Sequence, residues 1–416
     1  MESVGTYRGF QIRERWRGPD APGIKMLSDR DAFFQRALTN AGGERDRPFT
    51  GLTANGVVEP GLFSLSSGGE DTRSIRERAL EFLASLDDAQ RVEAEREAGA
   101  EDWRRWSNAF EAPHGASLKT MTGSQREAAL AVVKASLSSR GFDTARGAMK
   151  LNQTLGELVG NTELLGEWNY AMHVFGSPSA DEPWGWQIHG HHLIVSCMVV
   201  GSQVILTPTF VGAEPATADS GKHAGLAILK DEEHAGLRLV NALSSAQQDT
   251  AVLFKSIRWA DLPPERTHPA DGRHRAGAFK DNLVLPYEGL PGKQMTPAQQ
   301  ELLLQLVGVY AGRASSGHAA ARMREVASHL DRTHFVWMGG CDSLSPFYYR
   351  VHSPVILIEF DHHHGVFLDN DEPEKFHVHT IVRTPNGNDY GRDLLRQHYE
   401  AHHAGPGAPR HENGGD

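Results

Sequence analysis

The stretch from Trp184 to Val200 leaves this chain little choice of structure. Trp-Gly-Trp-Gln-Ile-His-Gly-His-His runs without a break into the apolar segment Leu193–Val200, and Gly201-Ser202 interrupts before apolar residues resume towards Phe210. Apolar runs of this length bounded by turn residues predict two strands joined by a short turn. Histidines 189, 191 and 192 stand at the entrance to the first strand, and a second strand-like run, Phe376–Arg383, carries His377 and His379. Alternate residues of a strand share a face, so His377 and His379 point the same way, roughly 7 Å apart at the backbone. By the same rule His189 and His191 share a face and His192 takes the other, although Gly190 gives the backbone freedom to break that alternation.

The two stretches are expected to meet across a sheet and hold a transition metal, with His191, His377, His379 and His189 as ligands. Imidazole suits Fe, Cu or Zn, and a set this poor in carboxylates disfavours Mg or Ca. Glu359 lies on the apolar run Val355–Phe360, where a buried carboxylate needs a partner, so it is a candidate base. His192 and Arg383 complete the candidate catalytic set, and Trp184, Trp186 and Tyr349 are candidate walls of a substrate pocket. Asp361-His362-His363-His364-Gly365 follows the Glu359 strand and reads as an exposed loop. Arg383, Asp389, Arg392 and Asp393 form a dense polar set, suited either to anchoring the C-terminal helix or to binding an acidic substrate.

Four stretches signal helix starts: Asp87 to Gln90, Thr122 to Gln125, Ser244 to Gln247 and Thr296 to Gln299. In each, the first side chain caps the helix and the Gln returns a hydrogen bond. Their unequal spacing argues against a tandem repeat. Pro, Gly and charged residues dominate 261–294, which reads as a long surface loop. The order of helices, strands, helices and strands predicts an α+β protein, a mostly antiparallel sheet covered by helices in a single integrated domain. Residues 1–70 are expected to wrap that domain, 71–400 to form it, and the Gly/Pro-rich tail 401–416 to be disordered.

Composition narrows the function. A net charge of -11 disfavours nucleic acid and anionic membranes as partners. No apolar run approaches a membrane span and residues 1–20 lack a signal peptide's apolar core, so the chain reads as cytoplasmic, with its two cysteines, Cys197 and Cys341, as free thiols. A dinucleotide-binding glycine pattern, a Walker A motif, His-Glu-x-x-His and Gly-x-Ser-x-Gly are all absent. What is left is a metal-dependent enzyme acting on a small molecule, with redox chemistry slightly ahead of hydrolysis by a Zn-activated water. A metal-free histidine enzyme and a non-catalytic protein binding a metal or small ligand are the alternatives.

Several pieces of the chain resemble a bacterial family, domain of unknown function 3500. They are Trp184–Leu193, Thr207–Pro215, Tyr348–Arg350, Ile358–Asp361, His377–His379 and Asn388–Leu395 with His398-Tyr399, and the resemblance spans roughly residues 75–400. The family often carries a carboxylate at the position of His189. It also has Trp-Arg-Asp-Pro where this chain reads Ile381-Val382-Arg383-Thr384-Pro385, so Arg383 is expected to pair differently here. The resemblance implies one integrated domain and no established reaction.

Overall fold

The computed structural model describes residues 5–17, 21–23, 47–66, 70–109, 114–268 and 271–402. Eight strands carry the fold: β1 (Tyr170–Phe175), β2 (Trp184–Gly190), β3 (Leu193–Val200), β4 (Thr209–Ala213), β5 (His334–Gly339), β6 (Phe347–His352), β7 (Leu357–His362) and β8 (Val378–Arg383). They form one sheet in the order β5-β6-β7-β8-β4-β3-β2-β1, each neighbouring pair antiparallel. Helices α1 (Arg73–Ser85), α2 (Asp88–Ala94), α3 (Gly123–Ser136) and α4 (Ser139–Val159) precede β1. Helices α5 (Lys230–Ala242), α6 (Ser245–Ala251), α7 (Pro297–Ala311) and α8 (Ser316–Ser328) precede β5, and α9 (Arg392–His402) follows β8. The architecture is therefore the expected α+β domain with a mostly antiparallel sheet.

That sheet order is palindromic, and the detail repeats with it. Trp186 pairs with Cys197 and Gln187 with Ser196 across β2 and β3, as Tyr349 pairs with Phe360 and Arg350 with Glu359 across β6 and β7. At each outer edge a short strand runs parallel to its neighbour, Glu95–Arg96 beside β1 and Val252–Phe254 beside β5. The Trp186 indole donates to Ser136 of α3, and the Tyr349 hydroxyl meets Tyr310 of α7. All four capping boxes form. Gln90 and Gln125 bond to each other, as do Gln247 and Gln299. Gln125 also donates to the carbonyl of Ser85 and Gln299 to that of Ala242, the last residues of α1 and α5. The chain thus folds as two halves of like topology that meet where β4 pairs with β8. The unequal cap spacing that argued against a repeat comes from the connection between the second and third helix of each half, which is longer in the second half.

The two faces of the sheet differ. Trp184, Trp186, Val195, Tyr349 and Phe360 point to the helices and join one large apolar core. The other face carries Gln187, His189, Ser196, Arg350, Glu359, Asp361, His379 and Arg383, all buried. Segments without regular structure cover it, and their backbone groups need partners. Gln187 donates to the carbonyl of Trp103, Glu359 accepts from the amides of Arg275 and Ala276, and Arg383 donates to the carbonyls of Ala276 and Gly277. The 261–294 stretch is accordingly not a surface loop throughout: Arg273, His274 and Ala276 are buried as a third layer. Near the N-terminus, Tyr7, Ile12 and Trp16 pack with Phe367, Leu368 and Phe376. Most of the expected disordered tail, from 403 onward, lies outside the described residues.

The paired glutamines tie each helix pair together where the core begins. Replacing Gln125 or Gln299 singly by Ala removes a cap and two inter-element bonds. Each is expected to cost about 1–2 kcal/mol, read as a lower urea midpoint at unchanged slope.

Candidate metal centre

β2 ends at Gly190, and the chain turns through His191 and His192 into β3. His192 adopts a left-handed conformation, φ +61, which histidine tolerates better than most residues. Its N–H donates to the carbonyl of Asn108 (2.9 Å) and its carbonyl accepts from Gly212 (2.8 Å), which holds the turn in place. The strand alternation fails here, so His192 and not His191 swings towards β8. His191 stacks on His192, ring centroids 3.9 Å apart, and turns its Nδ1 to Asn152 Oδ1 of α4 at 2.8 Å. The Asn152 amide is oriented by its own bond to the Gly166 carbonyl (2.8 Å), so its oxygen accepts and His191 Nδ1 carries the hydrogen.

His377 and His379 share a face as expected. Their Nε2 atoms lie 3.0 Å apart, and His379 Nε2 is 3.1 Å from His192 Nε2. Ligand atoms of His192, His377 and His379 all fall within 4.8 Å of one another, the only such group of three or more ligating residues among the described residues. At a metal–nitrogen distance of about 2.0–2.1 Å, tetrahedral ligands stand about 3.3 Å apart, close to the two separations of 3.0 and 3.1 Å found here. His377 Nδ1 donates to the carbonyl of His364 at 2.7 Å, which leaves Nε2 as an acceptor turned to the cluster. Glu214 Oε2 is 3.7 Å from the same Nδ1. That carboxylate is itself held by the amides of Val366, Phe367 and Leu368, and burial pushes its pKa up to about 7. Burial also drives His192, His377 and His379 well below the ordinary imidazole value, which keeps them neutral, as metal ligation requires. Gly212 makes the room. A Cβ there would lie 2.9 Å from His379 Cδ2 and 3.3 Å from His192 Cδ2.

Other expected site residues stand elsewhere. His189 stacks on His173 of β1, centroids 5.4 Å apart, and takes no part in the cluster. Trp184, Trp186 and Tyr349 belong to the helix-facing core rather than a substrate pocket, because alternation puts them on the face opposite His379. Glu359 is no free base. It accepts from the amides of Arg275 (2.9 Å) and Ala276 (2.8 Å) and from the Tyr348 hydroxyl (2.6 Å). Burial pushes its pKa up, but His274, Arg350 and these donors together hold it below the usual value. Arg383 bonds Asp281 (2.6 Å) and Asp389 (3.2 Å) and gives two further donors to the carbonyls of Ala276 and Gly277, so it ties the sheet to the covering layer. His362 and His363 are fully buried rather than exposed, since β7 runs on to His362 and the His363 amide donates to the His377 carbonyl (2.7 Å). A cavity of about 650 Å³ lies on the helix side, lined by Val195, Val211 and Val382, so the sheet separates it from the histidines.

The fold and this cluster define a two-half α+β protein with a buried three-histidine centre able to coordinate a metal. The chain belongs to the family described as protein of unknown function (DUF3500), whose model matches residues 68–392. No curated protein and no solved structure matches it.

Two outcomes follow from this electrostatic arrangement. Arg383→Met takes its cation from the buried Asp389 and leaves Asp281 with Arg104 and the Tyr390 hydroxyl, and is expected to cost about 3–5 kcal/mol in denaturant unfolding. Burial lowers the pKa of His189 to about 4 and of His362 to about 3, against 6.5 for a free imidazole. The unfolded chain takes up those protons as pH falls below 6.5 and the folded chain does not, so stability is full above 6.5 and declines towards pH 3–4. Urea midpoints measured from pH 8 to pH 4.5 should fall, and His189→Phe should flatten part of that fall.

Proposed function

We propose that this protein is a metal-dependent enzyme acting on a small molecule, with a transition metal held by His192, His377 and His379. The observation that carries the reading is the convergence of three buried, neutral Nε2 atoms, with the His377 tautomer fixed by a backbone carbonyl. Two neighbouring imidazoles can share one hydrogen, but three converging nitrogens leave lone pairs facing each other, and a cation answers that best. Three protein ligands leave the metal an open position, as catalytic sites do.

Redox chemistry on Fe or Cu is the leading form. The ligand set is all imidazole, and Glu359, the carboxylate suited by sequence to serve a hydrolytic water, is saturated by its own donors. Hydrolysis with Zn is the second form, since the same three-histidine set suits Zn. When bound, the metal supplies either an electron or a Lewis acid, and the chain supplies its geometry, its neutral ligands and a site shut off from bulk water. Two free thiols support a reducing, cytoplasmic setting. No helix of the described residues is long and apolar enough to cross a membrane.

Elemental analysis of untagged protein purified without added metal tests this. Near-stoichiometric Fe or Cu is expected, lost in a His377→Ala, His379→Ala double variant that keeps its circular dichroism. Zn in place of Fe or Cu moves the reading to hydrolysis. No metal after reconstitution ends it.

A further inference from the structure

The cavity on the helix side of the sheet measures about 650 Å³, within the range of about 300–1,000 Å³ that small-molecule sites occupy. It lies where the two halves face each other. Leu137, between α3 and α4, forms an antiparallel bridge with Ala314, its counterpart between α7 and α8. In the sheet Thr209 pairs with Val382, and these too are counterparts, since Val195 pairs with Thr209 as Ile358 pairs with Val382. Both pairs line the cavity, the bridge from the helix side and the strand pair from the sheet side.

The halves do not fill this space equally. In the first turns after its N-cap residue Ser138, α4 presents Gly141 and Ala145 to the cavity. At the same steps after Ser315, α8 presents His318 and Arg322. The small residues of α4 leave the apolar floor of Val195, Val211 and Val382 uncovered. Ala320, Ala321 and Arg324 of α8 are exposed and mark the rim.

The charges around the cavity are already answered. Glu70 accepts from the Ser315 hydroxyl at 2.6 Å. Arg322 gives Nη2 to the Val355 carbonyl (2.8 Å) and the Thr384 hydroxyl (2.9 Å), and Nη1 to Glu325. Arg313 gives Nη2 to Glu232 at 2.9 Å, and its partnerless Nε and Nη1 are sealed from solvent. Arg324 is in water at the rim. His318 differs from these. It is 8% exposed, its Nε2 stands 3.8 Å from Glu70 Oε2, beyond a hydrogen bond, and its ring nitrogens are not sealed like those of Arg313. Burial lowers its pKa, which keeps the ring neutral, with one nitrogen to donate and one to accept.

We infer that this cavity is a second ligand site, for an uncharged and mainly apolar small molecule whose one hydroxyl is met by His318. The inference goes beyond the metal-enzyme reading and does not rest on it, because the sheet stands between the cavity and the histidine cluster. A carboxylate in the same space finds no free cation and has to leave water uncompensated.

The test uses the full chain and the uncharged dye 1-aminoanthracene, whose fluorescence rises in apolar surroundings. Saturable binding at one site is expected. In competition, 2-naphthol should displace the dye at about threefold to tenfold lower concentration than naphthalene, the effect of one hydrogen bond. The anion 2-naphthoate should be at least about tenfold weaker than 2-naphthol. Val382→Phe from the floor and Ala145→Phe from the helix wall should each abolish dye binding while cooperative urea unfolding is kept. His318→Phe should still bind the dye and lose the preference for 2-naphthol over naphthalene. If neither filling variant folds, the His318→Phe comparison decides alone. No saturable binding by the wild-type chain, unchanged binding in a folded filling variant, or 2-naphthoate as strong as 2-naphthol overturns the inference. A preference for 2-naphthol that survives in His318→Phe overturns it as well. None of these results touches the metal reading, which elemental analysis decides separately.

Discussion

The pairing of β4 with β8 is the contact on which the rest of the structure depends. It joins the two like halves into one sheet, and it sets Gly212 opposite His379. The missing side chain at 212 lets the imidazoles of His379 and His192 occupy one space from two strands that are far apart in the chain. The turn before β3 completes the arrangement, since Gly212 also donates its amide to the His192 carbonyl. The centre thus belongs to neither half. One half contributes His192 and the other contributes His377 and His379.

A second constraint explains the polar face. Segments without regular structure cover it, and their backbone donors and acceptors are met by Gln187, Glu359, Asp361 and Arg383. Buried charge on these strands is therefore mostly the glue of a third layer. The same logic acts at the metal centre, where the single carbonyl of His364 takes the Nδ1 hydrogens of both His363 and His377 and fixes what their Nε2 atoms present. Converging ligand nitrogens, not buried polar atoms as such, are what separate the site from its scaffold.

Much of this was legible in the sequence. The capping boxes, the Leu193–Val200 strand and the His377–His379 pair each rest on local rules that tertiary structure did not override. The choice between His191 and His192 was not legible, because it turns on one left-handed residue and on an amide contributed by a helix some forty positions earlier. Glu359 and Arg383 drew attention as buried charges, and only the covering layer shows that their valences are already filled. Trp184, Trp186 and Tyr349 were misplaced although period-two alternation already sets them opposite His189 and His379. His363 had a signal in the continuation of the Glu359 strand past Phe360, hidden by the loop-like look of three adjacent histidines before a glycine. The duplication escaped because its connecting segments differ in length.

The central claim is a metal held by three named nitrogens. Anomalous diffraction from crystals of the metal-reconstituted protein, recorded on both sides of the metal's absorption edge, tests it most directly. The account predicts one strong peak about 2.0–2.2 Å from the Nε2 atoms of His192, His377 and His379. A peak elsewhere, such as between His173 and His189, or no peak at full crystal order, would contradict it.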